Sequence, residues 1–212
     1  SLVGTNVPYL AINHFDDQLR EHCVELFPDA KNDLALVFVE RCFDFLIKRG
    51  TLAVITPQGW LFQGRERHYR KRMLTEREWK LVTRLGPGAF EMISGEMVQV
   101  ALVVCDNSKS SKKNNLGLLD ASSVSGPNEK TSQLIKCEVQ VKLQLEVQES
   151  RNCILQFAAS ETSKTLGHHA SALRGLSTGE LNRFVRHFWE LRSLGLDWEG
   201  FQTDTSFTTE YG

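Results

Sequence analysis

Between Leu34 and Ile47 the chain carries Leu34, Leu36, Val37, Phe38, Val39, Cys42, Phe43, Phe45, Leu46 and Ile47. At 3.6 residues per turn these positions cover most of a helix's circumference, so a helix here must be deeply buried. Asn32 or Asp33 supplies its amino-terminal cap. Lys48-Arg49-Gly50 closes it, with cations at the negative end of the helix dipole and glycine in a left-handed cap. Thr51-Leu52-Ala53-Val54-Ile55 follows as a compact apolar strand, and Thr56-Pro57-Gln58-Gly59-Trp60 is the loop at its carboxyl end. A helix apolar on nearly every side, joined directly to a strand, implies a helix lying on a sheet.

The neighbouring segments extend that pattern. Leu2-Val3-Gly4 opens as a strand. Asp16 to Phe27 has apolar residues at Leu19, Cys23, Val24 and Phe27, which is helical spacing ended by Pro28. Glu66 to Arg77 reads as a charged helix lying on the surface. Trp79 to Leu85 and Val98 to Cys105 are two more strands, separated by a Gly-rich loop from Gly86 to Gly95. The order strand, helices, strand, helix, strand, strand is half of an α/β sheet with helices on its faces. Ligands of such sheets bind outside the carboxyl ends of the strands. The Asn6 loop and the Pro57 loop both lie at such ends, so they are expected side by side.

Composition shifts after Asp106. Ser108 to Asn115 is a polar run of the kind found in mobile loops. From Cys137 to Gln148, Val139, Val141, Leu143, Leu145 and Val147 alternate with Gln140, Lys142, Gln144 and Glu146. That predicts a half-buried strand with the apolar set inward, although its Glu and Lys content also suits a helix. A Ser/Thr-rich stretch from Ser160 to Thr165 precedes a dense segment, Gly175 to Glu190. The divisions expected are 1–107, 108–150 and 151–212.

The 212 residues, 41% hydrophobic and 24% charged, suffice for a sizeable core. No apolar run approaches membrane-spanning length, and a cytoplasmic protein is expected. Five cysteines without CxxC spacing suggest reduced thiols. A net charge of -1 does not advertise nucleic acid, and local patches decide that question. Arg65, Arg67, Arg70, Lys71 and Arg72 face either phosphates or solvent, because Glu66, Glu76 and Glu78 interleave with them. Arg174, Arg183 and Arg186 cluster beside Phe184, Phe188 and Trp189, whose spacing reads as core. His168-His169 has no acidic or Cys partner at ligand spacing, so no metal site is expected. The chain starts without Met and with its first strand under way, which suggests a piece of a longer protein.

The residues best suited to chemistry are Asn6-Val7-Pro8-Tyr9. Asn6 offers a carboxamide. Pro8 fixes its own φ and holds Val7 extended, so the Val7 carbonyl turns away from any ladder. Tyr9 adds a flat ring with a polar tip. Two carbonyl acceptors and a ring can hold a planar amine. The tetrapeptide resembles the Asn-Pro-Pro-Tyr motif of amino-methyltransferases, with Val7 in place of the first Pro.

Taken with Asn32-Asp33-Leu34-Ala35, with Leu52 to Phe62, with Leu85-Gly86-Pro87-Gly88-Ala89-Phe90 followed by Gly95-Glu96, and with Gly175 to Trp189, the chain resembles large single-chain adenine-specific DNA methyltransferases. Such chains occur in type IIG restriction–modification enzymes and BREX-type phage-defence methylases. The resemblance implies the carboxyl-terminal half of a Rossmann-like methyltransferase sheet, followed by a linker into a target-recognition region. It implies that Asn6 and the Val7 carbonyl accept the two hydrogens of adenine N6, with Tyr9 stacked on the flipped base. It implies that Asp33, Leu34 and Pro57 border the S-adenosylmethionine pocket. From their own clustering, Arg174, Arg183 and Arg186 are candidate contacts to the backbone of double-stranded DNA. The family's Gly-rich cofactor loop and its ribose-binding acid precede the Asn-Pro-Pro-Tyr strand. They are therefore expected in an amino-terminal half outside this chain, to which a nuclease can also be fused. Two alternatives stand beside this reading: a non-catalytic DNA-binding or subunit module, and an RNA or protein amide N-methyltransferase.

Overall fold

A computed structural model describes residues 1–90, 98–157, 170–171, 185–193 and 195. The chain forms two compact units, Ser1–Ser160 and Glu161–Gly212. The first contains strands β1 (Leu2–Asn6), β2 (Thr51–Pro57), β3 (Glu78–Gly86), β4 (Val100–Asp106), β5 (Asn115–Asp120) and β6 (Gln140–Leu143). Its helices are α1 (Asp17–Leu26), α2 (Leu34–Asp44), α3 (Arg67–Glu76), α4 (Pro127–Lys136) and α5 (Gln144–Glu149).

The six strands form one mixed sheet in the order β1-β2-β4-β3-β5-β6. β1 pairs parallel to β2, with Asn6 opposite Ile55. β4 is inserted antiparallel between β2 and β3. β5 runs parallel to β3, and β6 closes the edge antiparallel to β5. Hence β1, β2, β3 and β5 point the same way. Asn6, Pro57, Gly86 and Asp120 end on one edge, and the Asn6 and Pro57 loops are neighbours as the sequence suggests.

The core lies on one face. Leu52 and Val54 of β2, Ala101, Val103 and Cys105 of β4, Val82 of β3 and Leu116 and Leu118 of β5 join a single cluster with side chains of α1, α2, α3 and α5. The alternate positions Ala53, Ile55, Leu102 and Val104 are half-buried. Trp60 and Trp79 pack within the cluster with ring centroids 5.5 Å apart. The five cysteines are unpaired.

Both early helices begin where their sequences specify. Asp16 caps α1, its Oδ1 accepting from Leu19 N at 2.7 Å. Asp33 caps α2, accepting from Ala35 N at 2.9 Å. The end of α2 differs from expectation. The helix stops at Asp44, and Arg49, not Gly50, takes the left-handed conformation (φ 65°). The Asn107 side chain donates to the Leu46 carbonyl at 3.0 Å, and Arg49 N donates to Asn107 O at 3.0 Å. A distant loop thus satisfies carbonyls that a Gly cap would have closed locally. Phe38, Phe45 and Ile47 are exposed, so the near-complete burial expected of this helix is also corrected.

α3 is not a surface helix. Tyr69, Arg70, Met73 and Leu74 are buried, and Arg70 carries a guanidinium into the interior. Its Nη1 donates to Trp60 O and, at 3.1 Å, to Gln63 O. Its Nε and Nη2 donate to Cys153 O at 2.7 Å and Asn152 O at 2.5 Å. Arg70 is thereby removed from the candidate phosphate contacts. Arg72 is engaged by Asp29, Glu40 and Glu76.

The segment 137–148 also departs from its pattern. Only Gln140–Leu143 is strand, and Gln144–Glu149 is helix. Val141 and Leu143 of this edge strand, and Val139 just before it, are exposed, whereas Gln144 is buried. Gln144 is fully used: Oε1 accepts from Trp79 N at 2.8 Å and Asn114 Nδ2 at 2.7 Å, and Nε2 donates to Leu74 O at 2.6 Å and Arg77 O at 2.8 Å. The ladder of β3 slips register between Trp79 and Leu81. Gln144 and Asn114 satisfy the Trp79 backbone there, since Asn114 Nδ2 also donates to Trp79 O at 2.9 Å. β5 and α4 had no sequence counterpart. No described helix is long and apolar enough to cross a membrane.

Candidate active site

Asn6 is exposed as the last residue of β1. The next residue, Val7, is buried and anchors the loop in the core. The loop is held against the start of α2 by its backbone. Leu34 N donates to Leu10 O at 2.9 Å, Ile12 N donates to Asn32 O at 3.0 Å, and Ala11 bridges Asp33. Pro8 lies outside on the turn, and Tyr9 is half-buried against the core. The fold therefore gathers Asn6, Val7, Pro8, Tyr9, Asp33 and Leu34 around one loop. Pro57 ends the adjacent strand on the same sheet edge.

The Tyr9 hydroxyl donates to Asn6 Oδ1 at 2.7 Å. Burial and the nearby Asp33 charge push the Tyr9 phenol up to about 12, so the hydroxyl stays protonated as a donor. Burial also raises the Asp33 carboxyl. Hydrogen bonds from the Ala35 and Leu10 backbone oppose that rise, Glu66 adds to it and Arg65 opposes it.

Glu66 is the acidic neighbour that the sequence reading passed over as part of a solvated face. It is only 3% exposed. Arg65 Nε donates to its Oε1 at 2.7 Å, while its Oε2 is buried without a hydrogen-bond partner. The only sequence signal for its burial is its position one residue before α3. Gln58, directly after Pro57, was also overlooked. Gln58 N donates to Gln99 O at 2.8 Å, and Gln58 Nε2 donates to Gln99 Oε1.

Chemically, the loop presents a carboxamide oxygen and an aromatic ring at the open edge of the sheet. Behind it stand two carboxylates. No group of His, Cys, Asp and Glu able to hold a metal ion occurs among the described residues.

Of the candidate DNA contacts, Arg174 and Arg183 lie outside the described residues, as do His168 and His169. Arg186 belongs to the second unit, where it is exposed and donates to Val185 O at 2.9 Å. Phe188 and Trp189 are 71% and 65% exposed, which corrects their reading as core. His187 stacks on Trp189 with centroids 4.3 Å apart and rings 3° from parallel. Phe184 lies outside the described residues.

Residues 2–90 match the family model described as Eco57I restriction-modification methylase. The chain is 32% identical over 108 residues to the adenine-specific methyltransferase BrxX of Escherichia coli O9:H4 (strain HS), covering 51% of this chain and 9% of that protein. It is 33% identical over 107 residues to the adenine-specific methyltransferase PglX of Lacticaseibacillus casei (strain Zhang), covering 50% and 9%. The chain thus spans about a tenth of the length of these curated relatives. Among solved structures, one from a study of complex assembly in the type I R-M system aligns with a TM-score of 0.54 and 16% identity, over 76% of this chain and 39% of that one. That likeness concerns the fold alone.

Proposed function

We propose, from the match of residues 2–90 to the Eco57I restriction-modification methylase model, that the protein containing this chain methylates adenine N6 in double-stranded DNA. This chain supplies the amine-holding end of its catalytic sheet. The observation that carries the reading is the loop Asn6–Tyr9 at the carboxyl end of β1, with an exposed carboxamide and an aromatic ring joined at 2.7 Å.

Asn6 Oδ1 and the Val7 carbonyl accept the two N–H bonds of the amine. Drawing both hydrogens into that plane turns the nitrogen lone pair out toward the methyl donor. Tyr9 stacks on the ring of a base taken out of the duplex. The donor set fits S-adenosylmethionine on one side: Asp33 offers a carboxylate, and Leu34 and Pro57 offer half-buried apolar surface. S-adenosylmethionine supplies the electrophilic methyl group when bound. Its remaining polar contacts belong to chain outside these residues.

Arg174, Arg183 and Arg186 contact the DNA backbone, and residues 151–212 form a linker and the start of a target-recognition region. Residues 1–107 are the catalytic half-sheet and 108–150 its extension. The setting is restriction–modification or phage defence in the cytoplasm, with a nuclease fused or separate.

The test is methylation of duplex DNA by the full-length protein and its Asn6→Ala variant, read as N6-methyladenine. By analogy with an oxyanion-hole donor, losing one of two acceptors slows transfer about 10²-fold or more. DNA binding should survive. A variant as fast as wild type removes the assignment.

A further inference from the structure

We propose that Lys130 is a positioning residue for the end of β3 and the start of the β3–β4 connection, holding Leu85 to Phe90 at the sheet edge that carries Asn6 and Pro57. The proposal rests on reading that edge as the methyl-transfer site.

α4 attaches to the protein in an unusual way. α1, α2, α3 and α5 each place apolar side chains in the core, but α4 places none there among the described residues. Its one buried side chain is Lys130. The Lys130 ammonium donates to Leu85 O at 2.6 Å, Ala121 O at 3.2 Å and Val124 O at 2.5 Å. An ammonium has three protons, and all three are used. Leu85 and Ala121 flank the last paired residues of β3 and β5, where Arg84 lies opposite Asp120. One cation therefore ties together the carboxyl ends of two parallel strands.

The connection that leaves β3 has no slack on this side. Gly86 has φ +67°, and a Cβ there would meet Ser122 Cβ at 2.8 Å. Gly88 has φ +68°, and its Cβ would meet Ser125 Oγ at 2.9 Å. Only glycine fits a left-handed position pressed so closely. The 121–126 loop forms the wall, and Lys130 holds that wall to Leu85. On the other side Arg84 lies over the Phe62 ring at 5.5 Å, and Gln99 is bound by Gln58, the residue after Pro57. The connection is thus anchored at both roots. One root is tied to the end of β2 and the other to a helix outside the family-matched segment. Displacing the ammonium would take this donor from three carbonyls and free the wall beside Gly86 and Gly88.

The experiment uses the full-length protein carrying Lys130→Met, which keeps length and removes the donors. Methyl transfer to duplex DNA should slow at least about tenfold, the loss expected for a misplaced site element. The KM for S-adenosylmethionine should stay within about twofold, because Asp33 and Leu34 lie at the start of α2. Amide exchange should quicken at residues 86–90 while β2 and β4 keep their protection. Asn6→Ala is run alongside. Wild-type transfer by folded Lys130→Met, with Asn6→Ala inactive, overturns the positioning role alone. Slow transfer with unchanged exchange at 86–90 overturns it too. Wild-type transfer by Asn6→Ala overturns the underlying reading instead, whatever Lys130→Met does. If Lys130→Met does not fold, Gly86→Ala takes its place, since it pushes the same stretch off Ser122. Slowed transfer with faster exchange at 86–90 is then expected, and a wild-type rate overturns the proposal.

Discussion

The Tyr9 hydroxyl donates to Asn6 Oδ1 across 2.7 Å, so the acceptor assigned to a substrate amine already holds a proton donor. A carboxamide oxygen has two lone pairs and can keep this bond while accepting another. The hydroxyl therefore orients the Asn6 side chain without blocking it. Tyr9→Phe keeps the ring and loses the orienting bond, whose net worth is about 0.5–1.5 kcal/mol. Single-turnover methylation by Tyr9→Phe should fall by no more than about tenfold. Tyr9→Ala also loses base stacking, worth about 1–3 kcal/mol, and should fall further. Equal rates for the two variants would detach the ring from the base.

The same contact has a pH signature. The Tyr9 phenol is raised from 10.0 to about 12 in the folded protein. A raised value means the folded state holds its proton more tightly than the unfolded chain. The stability this contributes is complete below pH 10 and is lost as pH rises through about 12. Denaturant melts of wild type and Tyr9→Phe should keep a constant difference up to about pH 9. Wild type should then lose ground to Tyr9→Phe above pH 10. Parallel curves through pH 11 would contradict the burial of this hydroxyl.

Asp33 has two roles that substitution can separate. As an N-cap it accepts from Ala35 N at 2.9 Å, which Asn does equally well, whereas Ala forfeits about 0.5–2 kcal/mol. As a carboxylate it is raised chiefly by burial, so ionising it opposes folding. The stability linked to its proton is present below the ordinary carboxylate value and lost as pH rises through the raised one. At pH 7 Asp33→Asn should be at least as stable as wild type, and Asp33→Ala should be less stable. S-adenosylmethionine affinity of the full-length protein should fall in both. An unchanged affinity in Asp33→Asn would leave Asp33 as a cap alone.

Arg70 should dominate local stability. Replacing it with Met leaves the carbonyls of Trp60, Gln63, Asn152 and Cys153 without this donor. At roughly 1–3 kcal/mol for a buried unsatisfied group, the loss should exceed about 3 kcal/mol. Urea melts check this, with Arg70→Lys expected to recover part. A loss under about 1 kcal/mol would mean that water replaces the guanidinium.

What could be read from the sequence was local chemistry. Pro8 and Asn6 mark a strand exit because φ restriction and a polar break act within four residues. Asn32 or Asp33 announces the start of α2 for the same reason. Arg70 was misread because its burial depends on carbonyls at 60, 63, 152 and 153, and no window contains them all. The alternation at 139–147 was real, but period-two spacing does not say which face is inward. On an edge strand the apolar set faces out, with Val141 62% exposed. β5 escaped notice because Gly117 interrupts a short apolar run. Glu66 was taken for solvent-facing because its neighbours are charged, although the chain turns it inward there.

Two of the carbonyls that hold Arg70 lie 82 and 83 residues downstream of it. At a synthesis rate of about 5–20 residues per second, the ribosome needs some 4–17 s to make that stretch. Throughout that interval the newborn helix carries a cation with nowhere dry to put it. The turn after Pro57 cannot lock until residues 152–153 emerge and return. A nascent chain is therefore expected to keep this edge of the sheet unfinished, and open to chaperones, until translation has passed Cys153.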